Sequence, residues 1–376
     1  MSTRPSDGGS AESLDRYRAK RDFSVTPEPT GDEPEPAAPD ASPPAEGAAP
    51  APRFVVQEHH ARRLHWDLRL ERDGVLASWA VPKGIPPDPA VNHLAVHTED
   101  HPMMYLDFAG EIPKGNYGAG TMSIWDRGTY ECQKWDDREV MVVLHGARAK
   151  GRYVLFRTRG DDWMLHRMDP PEDPDRQPFP AGLEPMLATP GFLPADDAVF
   201  GFEVLWDGVR ALAYCEGGRA RFQGDGEDDV SARYPELRAL GPALGVTQVV
   251  LDGEIIAPGD DGRPDRRRLE ARRKAAGSDA SFRRAAERAP VAYMAYDLLF
   301  LEGRPTVELP YTERRRLLDG MELVGPAWKV PTSHVGDGAA LLELGRGHGL
   351  AGVVAKRLQS PYQPGLRSPD WIEVRS

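Results

Sequence analysis

Cysteine is nearly missing: the chain of 376 residues has two, Cys132 and Cys215. That excludes a disulfide framework and a cysteine-rich zinc site. No apolar run approaches the ~18–20 residues of a membrane span. The opening MSTRPSDGGS has no signal-peptide core. Membrane, secreted and collagen-like classes are set aside, and a cytoplasmic soluble protein with no membrane partner is expected. Positive charge is also scarce, with 47 Lys and Arg against 59 Asp and Glu, a net of −12. A net negative chain argues against nucleic acid, but the distribution is uneven. Residues 1–52 hold 5 basic and 10 acidic side chains, 53–170 hold 16 and 17, and the rest hold 26 and 32. The near-neutral middle stretch retains room for a local basic patch. Glycine (38) and proline (36) are abundant, and 40% hydrophobic residues suffice for a sizeable core.

Residues 27–52, PEPTGDEPEPAAPDASPPAEGAAPAP, are Pro, Ala and acid. Such a stretch buries too little apolar area to offset its ordering entropy, which predicts an extended disordered linker. Just before it, LDRYRAKRDF (14–23) carries apolar punctuation that suits docking on the domain C-terminal to it. From Phe54 to about His166 the runs FVVQ, RLHWDLRLE, ASWAVP, HLAVHTE, TMSIWD, VMVVLHG and RYVLFRTR read as short strands, most separated by Gly or Pro turns. They predict a β-barrel or sandwich. DPPEDPDRQPFPAG (169–182) reads as a second linker. Residues 183–376 mix strands (FEVLWD, ALAYCE, QVVLDGEIIA, AYMAYDLLF, GVVAKR, WIEVR) with helices (PELRALGPAL, FRRAAERA, TERRRLLDGM, AALLELGRG). The fold class expected is α+β and multidomain.

Six of the ten histidines fall between positions 59 and 101. In HHARRLHWDLRLE (59–71), strand alternation puts Leu64, Trp66, Leu68 and Leu70 on one face and His65, Asp67 and Arg69 on the other. His59 is expected to fold over that polar face from the preceding turn. Two imidazoles and a carboxylate suit a divalent transition metal with open positions, and a neighbouring arginine suits a phosphate oxygen. A solvated outer strand face with incidental histidines is the competing reading. HLAVHTEDHPMMY (93–105) adds His93, His97, Glu99, Asp100, His101 and Tyr105. His101 and Tyr105 offer donors to a phosphoryl oxygen, with His101 a candidate general acid. His97 reads as a core histidine, and His60 and His93 as surface residues.

VVQEHHARRLHWDLRLERDGVLASWAVPKG and LAVHTEDHPMMYLDFAGEIPKGNYGAGTMSIWDRG resemble the 3′-phosphoesterase module of bacterial end-joining DNA ligase D over residues 54–168. The resemblance implies one divalent ion, typically manganese, on His59, His65 and Asp67. It implies a phosphate clamp of Arg69, His101 and Tyr105, and contributions to activity from Arg21, Asp22 and Glu28 in the arm YRAKRDFSVTPEP. The expected activity is 3′-end trimming of DNA or RNA–DNA: a terminal ribonucleoside is removed first, then the remaining 3′-phosphate, leaving a 3′-hydroxyl. His93 departs from the arginine or lysine usual there. The organisation becomes a tail (1–13), an arm (14–29), a linker (30–52), the phosphoesterase barrel (53–168), a linker (169–182) and a second domain (183–376).

That second domain is similar to the adenylation domain of ATP-dependent DNA ligases through EPMLATP, FEVLWDGVRALAY, VVLDGEIIAPGDDGRPD, AYDLLFLEGR, LPYTERRRLL, AGVVAKR and SPYQPGLRSPDWIEVR. The resemblance places the nucleophilic lysine at Leu205, which has no lone pair to attack phosphorus. Gln223-Gly224 stands for a Ser-Arg pair, Ala351 for a metal-associated glutamate and Glu373 for a lysine. With the last motif of that resemblance falling just before Ser376, no OB-fold domain is expected in this sequence. Asp207, Arg210, Glu254, Tyr296, Asp297 and Lys356 are retained; all but Asp297 are candidates for residual nucleotide binding, with Tyr296 against adenine and Asp207–Arg210 as an alternative buried ion pair. Six basic residues at 266–268 and 272–274 predict a helix or its leading loop, either a solvated face near Asp260, Asp261 and Asp265 or a contact to duplex phosphates. The expectation is an end-processing enzyme joined to a pseudo-ligase that does not use ATP. Its expected partners are DNA 3′ ends, the end-binding protein Ku and an end-joining polymerase or ligase. A non-catalytic scaffold and an active ligase are the alternatives.

Overall fold

The computed structural model describes residues 14–32, 50–224, 226 and 228–376. The expected tail at 1–13 and most of the expected linker, 33–49, lie outside the described residues. Two units divide between Pro174 and Asp175. No helix among the described residues is long and apolar enough to cross a membrane.

The first unit is a closed antiparallel barrel. Its strands are β1 (Arg53–His60), β2 (Leu64–Arg72), β3 (Val75–Val81), β4 (Asn92–His97), β5 (Gly110–Ile112), β6 (Gly120–Trp135), β7 (Glu139–Gly146), β8 (Lys150–Arg159) and β9 (Asp162–Arg167). They pair in the order β1-β2-β3-β4-β9-β8-β7-β6, and β6 returns to β1 to close the ring, with β5 on its outer flank. Asp73 (φ 51°) and Gly74 (φ 81°) make the two-residue turn between β2 and β3, as an Asp-Gly hairpin requires. At Gly120, where β6 starts against β1, a Cβ would run into the His60 carbonyl, so only glycine lets the strands meet there.

β2 alternates as its sequence predicts. Leu64, Trp66, Leu68 and Leu70 are buried on one face. The polar face is not solvated, however, because Asp67 is 6% exposed and Arg69 2%. Gln57, Ser78 and the Tyr105 ring pack on Arg69, and a helical turn α1 (Asp15–Ala19) with the segment to Asp32 packs in turn on Tyr105. Tyr17, fully buried, donates its hydroxyl to the Pro29 carbonyl at 2.6 Å and packs with Leu14, Val55, Leu76 and Tyr105.

The second unit has a five-stranded sheet and a seven-stranded sheet with helices around them. Each of the six predicted strand runs lies wholly or mostly within a strand: 200–205, 209–216, 249–256, 292–301, 352–357 and 367–375. The predicted helices occur at 235–244 (partly 3-10), 279–288, 311–320 and 338–347. A core cluster of this unit joins Phe222, Tyr234, Leu251, Tyr293 and Leu318. The basic run forms a helix, Arg266–Lys274, whose Asp265 cap accepts from the Arg267 and Arg268 amides. Four of its arginines pair with acids: Arg266 with Asp207, Arg268 with Asp260 and Arg273 with Glu270 at the surface, and the buried Arg272 with Glu236 at 2.5 Å. Intramolecular pairing, rather than a free cationic face, is what four of these arginines display.

Candidate metal and phosphate site

Antiparallel pairing of β1 and β2 puts His59 directly across from His65, and Gln57 across from Asp67. His59 therefore belongs to a strand and not to the turn expected for it. The result is a compact ligand group. His59 Nδ1 lies 3.6 Å from Asp67 Oδ2, and His65 Nε2 lies 3.6 Å from Asp67 Oδ1. One ligand atom from each of the three lies within 4.8 Å of the others. Metal bonds of about 2.1 Å separate ligand atoms by roughly 3.0–3.4 Å, so a small contraction closes the group on an ion.

Backbone carbonyls fix which ring nitrogens face inward. His59 Nε2 sits 2.8 Å from the Gly118 carbonyl and His65 Nδ1 sits 2.9 Å from the Arg63 carbonyl. A carbonyl only accepts, so those nitrogens carry the protons and the lone pairs of the other two point toward Asp67. The residues present thus fit a divalent cation: two oriented imidazoles and a carboxylate. Burial pushes the Asp67 carboxyl upward, but Arg69 and then the two histidines outweigh it and hold it well below the usual carboxylate range.

Arg69 is anchored three ways: Nε to Gln57 Oε1 at 2.7 Å, one terminal nitrogen to Ser78 Oγ at 3.0 Å and the other to Asp67 at 2.9 Å. Gln57 in turn donates to the Tyr105 and Phe108 carbonyls. Beside it, the arm contributes Arg21, which bonds Glu28 (2.7 Å), Glu99 (3.1 Å) and His101 Nε2 (3.3 Å). Tyr105 donates to Glu28, with the Arg69 guanidinium 4.8 Å from its ring centre. Arg21, Glu28, Arg69, His101 and Tyr105 therefore come together as one cluster. Asp22 does not; it is exposed, and its carboxylate accepts from the Ser24 amide and hydroxyl.

His101 differs in kind from the acid its position suggests. Nδ1 donates to the Glu99 carbonyl at 2.8 Å, and Nε2 faces Arg21. Burial first, then Arg69 and Arg21, push its pKa well below the usual histidine value. A neutral ring with an accepting Nε2 results. His97, half-buried between Trp79 and Trp163, is lowered chiefly by burial. For a depressed histidine the unfolded chain binds the proton first. Stability from these two rings is present above about pH 6.5 and lost as pH falls through their folded values. Urea melts at pH 8 and pH 5 are expected to show the loss, and His101→Gln to reduce it.

His93 corrects another expectation. It is 8% exposed, with Nδ1 2.7 Å from the Gly84 carbonyl, and so is no surface residue. β4 turns His93 and Ala95 inward and leaves Leu94 40% exposed. His60 is exposed as expected, 2.6 Å from Glu58. Sequence reasoning missed Gln57 and Ser78 as supports of Arg69; it named Glu99 without a role, and that carboxylate is held by Lys20 and Arg21.

In the second unit, Asp207 and Arg210 are not a pair. Asp207, at φ 51°, meets Arg266 (3.1 Å) and Arg375 (3.3 Å). Arg210 instead clasps Asp252 at 2.6 and 2.5 Å, and Tyr362 completes that carboxylate at 2.8 Å. Its place on the strand 209–216 aims it at the neighbouring strand 249–256. Lys356 is 1% exposed, bonded to Glu203 (3.0 Å) and to the Tyr296 carbonyl (3.2 Å). Tyr296 is 6% exposed, with the Arg210 and Lys356 cations 5.1 and 4.5 Å from its ring centre. Asp297 binds Arg314 in a buried fork. Burial raises the Glu254 carboxyl, which accepts from the Gly208 amide. Leu205 is 7% exposed at the end of its strand.

Among known proteins, the DNA Ligase D 3′-phosphoesterase domain matches residues 57–157, and the ATP dependent DNA ligase domain matches residues 185–375. A multifunctional non-homologous end joining protein of Mycobacterium bovis is 44% identical over 98% of this chain and 46% of its own length. Its counterpart in Pseudomonas aeruginosa is 32% identical over 97% of this chain and 47% of its own. The chain thus spans about half the length of these relatives. A solved mycobacterial DNA ligase D complexed with ATP and MES is 37% identical over 51% of this chain and 60% of that one, with a TM-score of 0.45. With a phosphoesterase match on the barrel that holds the ligand group and a ligase match across the second unit, the chain belongs to the DNA ligase D family.

Proposed function

We propose that the first unit is a metal-dependent phosphoesterase that clears blocked DNA 3′ ends, and that the second unit is a ligase frame which no longer self-adenylates. The observation carrying the first part is a single carboxylate, Asp67, with an inward-facing imidazole 3.6 Å from each oxygen and the Arg69 guanidinium at 2.9 Å. His59, His65 and Asp67 would hold the cation, manganese by family resemblance, which supplies Lewis-acid polarisation of a phosphoryl oxygen. Arg69 keeps two N–H groups beyond its three anchors, and these stabilise charge developing on the phosphate. Arg21, held by Glu28 and Glu99, adds a second buried guanidinium beside His101. His101 Nε2 orients donors rather than giving up a proton. Water adds to phosphorus, the bond to the 3′ oxygen breaks, and that oxygen leaves as a hydroxyl after taking a proton. At a terminal ribonucleoside, water adds to the diester phosphorus and the bond to the ribonucleoside's O5′ breaks instead; that oxygen takes the proton given up by the water and leaves as a hydroxyl, and the 3′-phosphate kept on the strand is then hydrolysed as above.

For the second unit, Leu205 lacks the lone pair that attack on ATP requires. Arg210, Lys356 and Asp297 are already committed to internal partners. Binding to DNA ends or to a partner such as Ku is the role left to it.

The test offers manganese with primer–templates ending in a 3′-phosphate or one 3′-ribonucleotide. Conversion to a 3′-hydroxyl is expected, and failure with every divalent metal tried contradicts the proposal. Incubation with radiolabelled ATP is expected to leave the denatured chain unlabelled; a covalent AMP adduct contradicts the pseudo-ligase half.

A further inference from the structure

Tyr117 stands out beside the site because it is large, aromatic and 49% exposed. It lies in the loop between β5 and β6, one residue before Gly118, whose carbonyl orients the His59 ring at 2.8 Å. The loop approaches that imidazole closely: a Cβ on Gly118 would sit 3.7 Å from His59 Cε1. On the phosphate side, the Lys20 ammonium lies 4.5 Å and the Arg21 guanidinium 5.6 Å from the Tyr117 ring centre. Lys20 also donates to the Tyr117 hydroxyl at 3.3 Å while anchored on Glu99 at 2.8 Å. The exposed ring therefore lies against the arm cations, among them the arginine that bonds His101, and its chain neighbour Gly118 orients the candidate ligand His59.

We infer that Tyr117 is the platform on which the last nucleobase of the strand stacks. The inference rests on the phosphoesterase reading and names how that site grips a strand end. A 3′-phosphate at the cation carries its own sugar and base a few bonds away, at the rim of the site. An aromatic face there recovers stacking energy from any of the four bases, because every base presents a π surface. The cations against the ring reinforce it and add phosphate attraction. Recognition of this kind is independent of sequence, as the processing of arbitrary broken ends requires. It demands a base on the terminal nucleotide.

A structural alternative exists, in which Tyr117 only clamps the arm through Lys20, and the measurement separates the two. Primer–templates are prepared with an ordinary or an abasic terminal nucleotide. Affinity is read by fluorescence anisotropy on 3′-hydroxyl ends, which report binding without turnover. KM and kcat are read on the matching 3′-phosphate ends. Tyr117→Ala is expected to raise Kd and KM roughly 10- to 100-fold on the base-bearing end, the range for stacking one base. It should change the abasic end little, and Tyr117→Phe should restore most of the loss. Wild type should lose a similar factor when the base is removed. Equal effects of Tyr117→Ala on both ends, or none on either, overturn the inference. Absence of hydrolysis by wild type would overturn the phosphoesterase reading instead, and the two Kd values would still judge Tyr117.

Discussion

His65→Ala is expected to lose both the bound cation and phosphoester hydrolysis, the latter by at least ~10³-fold. On the proposed reading His65 supplies one of three ligand atoms, and its Nε2 is already aimed by the Arg63 carbonyl. A Lewis acid at a phosphoryl centre contributes several kcal/mol of transition-state stabilisation, so its removal costs thousands-fold in rate. The fold should survive, because His65 is only partly buried and the apolar face of β2 is unchanged. Calorimetric titration with manganese and end-processing assays check the two halves together. A variant that still hydrolyses a 3′-phosphate at wild-type rate contradicts the assignment.

Arg69→Ala is expected to behave differently, lowering kcat about 10²–10³-fold while the cation still binds. The ligands His59, His65 and Asp67 remain, but the guanidinium beside them is gone. Stability should fall as well, by about 3–5 kcal/mol, since Asp67 is left buried without its cation and Gln57 and Ser78 lose a partner. Rates are therefore compared well below the thermal midpoint of the variant. Arg69→Lys should not rescue: one ammonium point cannot serve the three acceptors that Nε and the two terminal nitrogens reach in separate directions. Loss of metal binding along with activity would move Arg69 from phosphate to ligand support.

Much of the candidate metal site could be read from strand period alone. His65, Asp67 and Arg69 share a face because they alternate with Leu64, Trp66, Leu68 and Leu70. The place of His59 could not, since register across a hairpin depends on the turn, here Ala61–Arg63, and composition does not specify it. Once that register is known, Gln57 opposite Asp67 becomes an evident partner for Arg69. His93 misled for a related reason: in HLAVH the apolar Leu94 suggests the inner face, yet the strand presents His93 and Ala95 there. The burial of the polar face was also hidden, because it comes from Gln57, Ser78 and Tyr105, the last of them distant in sequence from β2. In the second unit, Asp207 and Arg210 are three apart in sequence, but the positive φ of Asp207 sends its carboxylate elsewhere while the strand carries Arg210 to Asp252.

The most direct measurement is a manganese-soaked crystal examined by anomalous scattering. One peak is predicted, bonded at about 2.0–2.2 Å to His59 Nδ1, His65 Nε2 and an Asp67 oxygen. A peak elsewhere, or none at those atoms under conditions where 3′-phosphate hydrolysis proceeds, contradicts a cation held by these three side chains.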